Sequence, residues 1–314
     1  MTSTKSAIRR DEEYLPIERV GPNRLRTALS VLLTGRKTPS DPSIDQFLYF
    51  IEQQQLSVNQ LWAAGDPDQP VAVSLLVPNP GKTAMLFLSP IVDHPRVGLG
   101  IRLAQKACAS QNPQQLQLIQ SLLDPSQVYE RQALEAAGFR RLSDLIYMER
   151  CSNHSPPLSG FSTDGTKVLR WSESNRRAFE EALLASYENT LDCPGLVGLR
   201  SIDDVIAGHM ATGQYNPQLW FTLWNNNQPI GVMLLNQVTR RPSFELIYLG
   251  VSQPFRQKGW GRQLLTYAVT IASERGGSSI VLAVDQHNRP ALRLYRSLEF
   301  NATAHKTAMI LTLK

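Results

Sequence analysis

The chain has 314 residues, and at about 150 residues per domain that length predicts two domains; its 42% hydrophobic and 19% charged content can bury a core and excludes an intrinsically disordered chain. A formal charge of +5, from 32 Lys and Arg against 27 Asp and Glu, tolerates a polyanionic small ligand but gives no ground for a nucleic-acid partner. Three distant cysteines (Cys108, Cys151, Cys193) without a CxxC pair, five scattered histidines and no apolar run near the ~18–20 residues of a membrane helix argue against a disulfide framework, a metal site and a membrane partner.

The N-terminal stretch MTSTKSAIRRDEEY is polar and lacks an apolar h-region, so a soluble, cytoplasmic protein is expected. Apolar spacing then predicts helices over 23–33 and 44–55. Strands 61–64 and 71–77 flank the turn Asp66-Pro67-Asp68. A strand at 84–88, a helix at 98–110, a strand at 116–122, a helix at 130–137 and a strand at 144–149 complete the first half. Cys151 to Thr166, CSNHSPPLSGFSTDGT, is rich in Ser, Pro and Gly without periodicity and reads as a linker. The expected domains are therefore 1–150 and 167–314, joined by 151–166.

The second half opens with a strand at 167–171. A helix at 175–189 carries Phe179, Leu183, Leu184 and Tyr187 at helical spacing, and a second at 201–210 opens with Ser201 as its cap. Strands 219–224 and 230–236 flank Asn225-Asn226-Asn227 and read as a hairpin. A strand at 244–251 precedes a long amphipathic helix at 259–275, closed by Gly276-Gly277. A buried strand at 279–284, a helix at 289–298 and a strand at 309–313 follow. The order is β-α-α-β-β-β-α-β-α-β, a mixed α+β domain, and the first half repeats it. The halves also match by residue at an offset of 158 to 161: Leu61-Trp62 with Leu219-Trp220, Gly98-Leu99-Gly100 with Gly259-Trp260-Gly261, and Phe139 with Phe300. This reads as an internal duplication.

Arg256-Gln257-Lys258-Gly259-Trp260-Gly261 lies between a strand and a helix. A helix start leaves N–H groups unpaired and carries partial positive charge, and glycine lets a phosphate approach the backbone. Arg256, Lys258 and Arg262 add formal charge, which makes a pyrophosphate cradle; a plain turn is the alternative for an isolated G-x-G. The pattern is neither GxxxxGK[ST] nor GxGxxG.

Arg256-x-x-Gly259-x-Gly261, after Tyr248-Leu249-Gly250-Val251, resembles the acetyl-CoA loop of the GNAT N-acetyltransferase family, Gln/Arg-x-x-Gly-x-Gly/Ala. Residues 288–300 resemble that family's second cofactor segment, Asn-x-x-Ala-x-x-x-Tyr-x-x-x-Gly-Phe, with Asn288, Ala291, Tyr295 and Phe300 in place and Glu299 where the glycine stands. The resemblance is strong from 220 to 314 and looser from 167. It implies two tandem GNAT-like acyl-CoA N-acyltransferase domains, each a mixed central sheet flanked by helices. It also implies that the backbone from Gln257 to Arg262, Trp260 included, binds the CoA pyrophosphate, and that Asn288 contacts the CoA arm. A strand bulge, for which Gly250 is suited, would open a slot along Leu249, Gly250 and Val251, and an N–H near Val251 would face the acetyl carbonyl.

Acetyl transfer to an amine needs an acid for the departing thiolate and a base for the ammonium. Tyr295 falls on the family's general-acid position; its alternative is a core tyrosine. Glu245, a carboxylate within Phe244-Glu245-Leu246-Ile247, could act as base through water or be an exposed charge at the strand start. Tyr248 is a weaker candidate. His209 and His305 read as surface or packing residues, and His287 adjoins Asn288. At the same offset, Arg256, Tyr295, Asn288 and Glu245 become Pro95, Leu134, Gln127 and Ala84, with Arg96 one place late. The first half is therefore expected to be a degenerate copy, and a copy that still binds acyl-CoA is the other option. The expectation is an acetyl-CoA-dependent N-acetyltransferase with acetyl-CoA as cosubstrate and no metal. Its acceptor would be a small-molecule or peptide amine and its state monomeric or homodimeric. A non-enzymatic acyl-CoA-binding regulatory module is the alternative.

Overall fold

The computed structural model of the protein describes residues 15–38, 40–53, 57–66, 68–151, 165–239 and 241–313. The first half runs β1 (Ile17–Arg19), α1 (Leu25–Thr34), α2 (Pro42–Gln53), β2 (Leu61–Asp66), β3 (Gln69–Asn79), β4 (Thr83–Leu88), α3 (Val97–Ala109), β5 (Leu118–Leu123), α4 (Val128–Ala136) and β6 (Arg140–Cys151). The second runs β7 (Thr166–Arg170), α5 (Arg176–Tyr187), α6 (Ile202–Met210), β8 (Trp220–Asn225), β9 (Gln228–Gln237), β10 (Ser243–Val251), α7 (Trp260–Glu274), β11 (Ser279–Asp285), α8 (Arg289–Ser297) and β12 (Asn301–Thr312). The two halves repeat one element order. Strand β1 has no counterpart among the predicted elements, because Ile17 is the one apolar residue of three. Most of the predicted linker, 152–164, lies outside the described residues.

The chain forms two compact units, one of residues up to Leu142 together with those from Thr307, the other Ser143–Lys306. The ladders explain these bounds. Thr307–Thr312 of β12 pairs antiparallel with β5, and Leu145–Cys151 of β6 pairs antiparallel with β11. The first unit has strand order β1-β2-β3-β4-β5-β12, the second β7-β8-β9-β10-β11-β6. In each, one parallel pair (β4–β5, β10–β11) sits in an otherwise antiparallel sheet.

Both sheets are covered on two faces. In the second unit, Met233 and Leu235 of β9 join a core with Leu264, Leu265, Ala268 and Ala272 of α7. Val232 and Leu234 pack on the other face with Phe179, Ala182 and Leu183 of α5. That alternation is the period-two signature of a strand buried on both sides. The hairpin β8–β9 turns on Asn226 (φ 47°) and Asn227 (φ 61°), a pair of positive φ values that asparagine tolerates and that matches the strand twist. Helix α6 opens on Ser201, whose hydroxyl accepts the Asp204 N–H, as its sequence predicts.

One departure from regular pairing opens a cleft. β10 and β11 pair only over Ser243–Glu245 and Ser279–Val281. Beyond that, β10 follows β9 and β11 follows β6, so the two strands part. The β9–β10 register shifts between Leu246 and Tyr248, which puts the bulge at Ile247, not at Gly250 as expected. Gly250 pairs regularly with Val232 and is needed for a different reason. A Cβ there would lie 2.6 Å from Ser186 Oγ and 2.7 Å from Tyr248 Cε1, so glycine is what lets α5 lie close against β10.

Candidate active site

The gap between β10 and β11, closed by α8 and the start of α7, is a cleft of about 530 Å³. Of the predicted residues, Leu249, Gly250, Val251, Arg256, Gln257, Gly259, Gly261, Arg262, Asn288 and Tyr295 line it. Lys258, Trp260 and Glu245 are not among its lining residues.

The helix start has the predicted form. Gln257 (φ 61°) and Gly259 (φ 88°) are left-handed, and Gly259 caps α7 with no side chain on its first-turn N–H groups. Those donors are left to a ligand. At Gly261 a Cβ would come within 3.3 Å of Leu294, so a larger residue crowds the cleft wall. Arg262 is exposed and donates to Ser297 Oγ at 2.8 Å. Lys258 stands over the Phe255 ring at 5.6 Å, while the Trp260 side chain turns into the core beneath α7.

Arg256 does other work than the motif suggests. Its guanidinium donates to the carbonyls of Val251 (2.9 Å), Asn189 (3.1 Å), Ser186 (3.1 Å) and Glu188 (2.7 Å). It therefore braces the end of α5 against the end of β10, and these donors are not directed at a phosphate.

The ladder orients the backbone donors of β10. The Ser252 N–H bonds to the Ile230 carbonyl, and Val251 pairs with Gly231. Antiparallel alternation then turns the Leu249 and Val251 N–H groups away from β9 and toward the parted strand.

Tyr295 is 7% exposed, packs 5.8 Å from Phe300 and lines the cleft. Burial, reinforced by the nearby charge of Asp192, pushes its phenol well above the usual range, so it is protonated at neutral pH. Burial also raises the Glu245 carboxyl. Glu245 pairs with Val281 across β10–β11, and Ala283, two residues along β11, lines the cleft. The Glu245 charge raises the phenol of Tyr147 on β6 after burial has done so.

Several residues have no signal in the sequence. Asp192, in the loop after α5, lines the cleft and accepts the Asp285 N–H at 3.1 Å. Burial raises its carboxyl, and the Asp285 charge raises it further. Asp285 accepts the N–H groups of Cys193 (3.2 Å) and His287 (2.8 Å). Tyr248, the weaker candidate, also lines the cleft; its hydroxyl meets Ser186 Oγ at 2.8 Å and its ring packs edge-on to Tyr187. His209, near Tyr248, is held down to about 4 by burial and the Arg200 charge, and its Nε2 is buried without a hydrogen-bond partner. It is a neutral packing residue, as read from sequence, and His305 is exposed. Among the described residues no group of three or more His, Cys, Asp or Glu is placed to hold a metal, and no helix is long and apolar enough to cross a membrane.

The matching segments of the first unit are built differently. A pocket of about 10 Å³ lies between β3, the end of β4 and α3, lined by Leu88, Ser89, Pro90, Ile91, Arg96 and Gly100 among others. A Cβ on Gly100 would lie 2.6 Å from Ile91 Cδ1. The buried Glu130 carboxylate accepts the Ile91 N–H at 2.9 Å. A 3-10 turn at His94–Arg96 runs straight into α3, so Gly98 lies inside the helix. The register also sets Met85, not Ala84, opposite Glu245, because Met85 pairs with Gln120 as Glu245 pairs with Val281.

Residues 171–300 match the model of the Acetyltransferase (GNAT) family. A mycothiol acetyltransferase from Thermomonospora curvata is 30% identical over 182 residues, 55% of this chain and 57% of the relative. The match thus spans little more than half of that protein. A GCN5-related N-acetyltransferase from Sphaerobacter thermophilus superposes with a TM-score of 0.63 at 19% identity, covering 95% of this chain and 96% of that one. A tandem GNAT protein from the clavulanic acid biosynthesis pathway superposes with a TM-score of 0.54 at 11% identity, covering 95% and 98%. At these identities the likeness is one of fold, two tandem GNAT-like domains.

Proposed function

We propose that this chain, through its GNAT-family domain, transfers an acetyl group from acetyl-CoA to an amine, with the chemistry in the second unit. The observation that carries the reading is one cleft that holds both an uncapped helix start at Gly259 and the buried phenol of Tyr295. The first-turn N–H groups of α7 with Arg262 receive the pyrophosphate, and the parted strands leave room for the extended arm. Asn288, whose side chain caps α8 by accepting the Ala291 N–H, borders that arm.

In the transfer itself the amine nitrogen bonds to the acetyl carbon as the carbon–sulfur bond breaks. The Leu249 and Val251 N–H groups stabilise negative charge on the acetyl oxygen. Tyr295 gives its proton to the departing sulfur and regains one from the nitrogen. Glu245 takes the first ammonium proton through water, a task suited to a carboxyl raised by burial. The relative's name couples acetyl transfer to mycothiol, and the residues of this cleft support an amine acceptor.

Calorimetric titration of acetyl-CoA into the protein tests the reading. One site per chain, followed by release of free CoA thiol with a primary amine, is expected. Absence of binding overturns it, and binding without turnover on any amine makes the protein an acyl-CoA-binding module.

A further inference from the structure

The cleft carries opposite charge at its two ends. Arg262 reaches Ser297, at the C-terminal end of α8, beside the uncapped start of α7. Asp192 lies at the other end of α8, where Asn288 caps the helix and β11 finishes at Asp285. The nine residues of α8, Arg289–Ser297, correspond to about 13 Å of helical rise.

The two aspartates are not equivalent. Asp285 has a side chain 4% exposed, and its oxygens are satisfied by the N–H groups of Cys193 and His287. Asp192 is half-buried and faces the cleft. Its carboxylate offers about four acceptor positions, of which the Asp285 N–H and the Asn288 side chain engage two. A second carboxylate at close range and partial burial both disfavour its charge, and a cation seated beside it relieves both. The cleft wall next to it holds the Tyr295 hydroxyl, on a side chain more than nine-tenths buried and without a hydrogen-bond partner among the described residues. The loop needs no help from the free face of Asp192 to hold its shape. Arg256 grips the Ser186, Glu188 and Asn189 carbonyls, and the Cys193 N–H is bonded to Asp285.

We infer that Asp192, backed by Asp285, is the acceptor subsite of this cleft and holds the substrate's ammonium group beside the Tyr295 hydroxyl. The inference rests on the acetyl-transfer reading. It narrows the acceptor to a primary amine that binds as its cation, anion at one end of the cleft and cation at the other.

The test is Asp192→Asn, which keeps an oxygen for the Asp285 N–H and loses the charge. Acetyl-CoA is titrated first; if the wild type does not bind it, the transferase reading fails before any amine is added. Glucosamine, ethanolamine and glycinamide are then titrated into protein saturated with a nonreactive ketone analogue of acetyl-CoA, and their KM values are measured from pH 6 to 10. Loss of one charge-assisted contact should weaken amine binding and raise KM by roughly 10- to 100-fold, with acetyl-CoA affinity unchanged. In the wild type KM should climb once the pH passes the amine's own pKa, and this climb should flatten in the variant. Unchanged amine binding overturns the subsite. So does a kcat loss at constant KM, an equal loss of acetyl-CoA affinity, or a wild type that binds none of the three amines.

Discussion

The two units share a scaffold and differ in what occupies the gap. β4 and β5 part after Met85 as β10 and β11 part after Glu245, and the gap of the second unit is a cleft of about 530 Å³. Four local differences set the first apart. β4 pairs with β3 without a register shift, so it lacks the Ile247 bulge. Ile91 packs on Gly100, the Glu130 carboxylate takes the Ile91 N–H, and α3 begins before Gly98, which removes the left-handed glycine at its start. A parted pair of strands is thus a property of the fold, while a site requires the bulge, the open helix start and the absence of a plug.

The largest effect that would break this contrast is at the paired glycines. Gly261→Asp sets a carboxylate in the first turn of α7, and acetyl-CoA affinity should fall by at least about 100-fold through repulsion with the pyrophosphate. Gly100→Asp should leave acetyl-CoA affinity alone and instead destabilise the first unit by about 3–5 kcal/mol, the cost of an unpaired buried charge. Calorimetry and denaturant melts on both variants check the pair. Equal losses of acetyl-CoA binding would mean that both units carry a site. Next, Tyr295→Phe should lower kcat by about 100-fold and leave acetyl-CoA affinity intact, as loss of a general acid does. The first unit has Leu134 at the matching position, buried in its core, and a Tyr295→Phe enzyme with full turnover would place the acid elsewhere.

Arg256 sharpens the contrast from another side. If its guanidinium braces four carbonyls, Lys cannot replace it, because an ammonium is a point donor and cannot span them. Arg256→Lys should weaken acetyl-CoA binding by about 10-fold and cost roughly 1.5–3 kcal/mol of stability. A phosphate-contacting arginine would tolerate Lys and would show its loss as a smaller salt dependence. Titrations at several ionic strengths separate the two.

How far the sequence could be read follows from the range of each interaction. The Asn226-Asn227 turn, the Ser201 cap and the glycine loop are local, and their residues state their own geometry. Gly250 was legible as a constrained glycine but not for its reason, since Ser186 lies 64 residues earlier in the chain. The partners of Arg256 are backbone carbonyls, and any sequence there would supply them. The bulge at Ile247 is marked by no Gly or Pro. Asp192 is one acid in a loop, and only the fold brings it to Asp285 and Tyr295. The cut at the linker is drawn by composition, whereas the units are drawn by ladders, and β6 and β12 each pair beyond their own half of the sequence.

The smallest effect concerns stability. Burial raises the Glu245 carboxyl above its ordinary value, with no opposing charge to restore it. The folded chain then holds the proton more tightly than the unfolded one. By linkage, the native state loses stability as pH rises from the unfolded pKa through the folded one, and the loss persists at neutral pH. Glu245→Gln removes the titrating group, so it should melt higher than wild type at pH 7. The gain should vanish below about pH 3, where the carboxyl is protonated in both states. The first unit bears Met85 at this register position and incurs no such cost. If thermal melts show the Gln variant no more stable at pH 7, the carboxylate is compensated, and the idea that the second unit keeps a strained charge for its chemistry while the first has relaxed to an apolar residue is wrong.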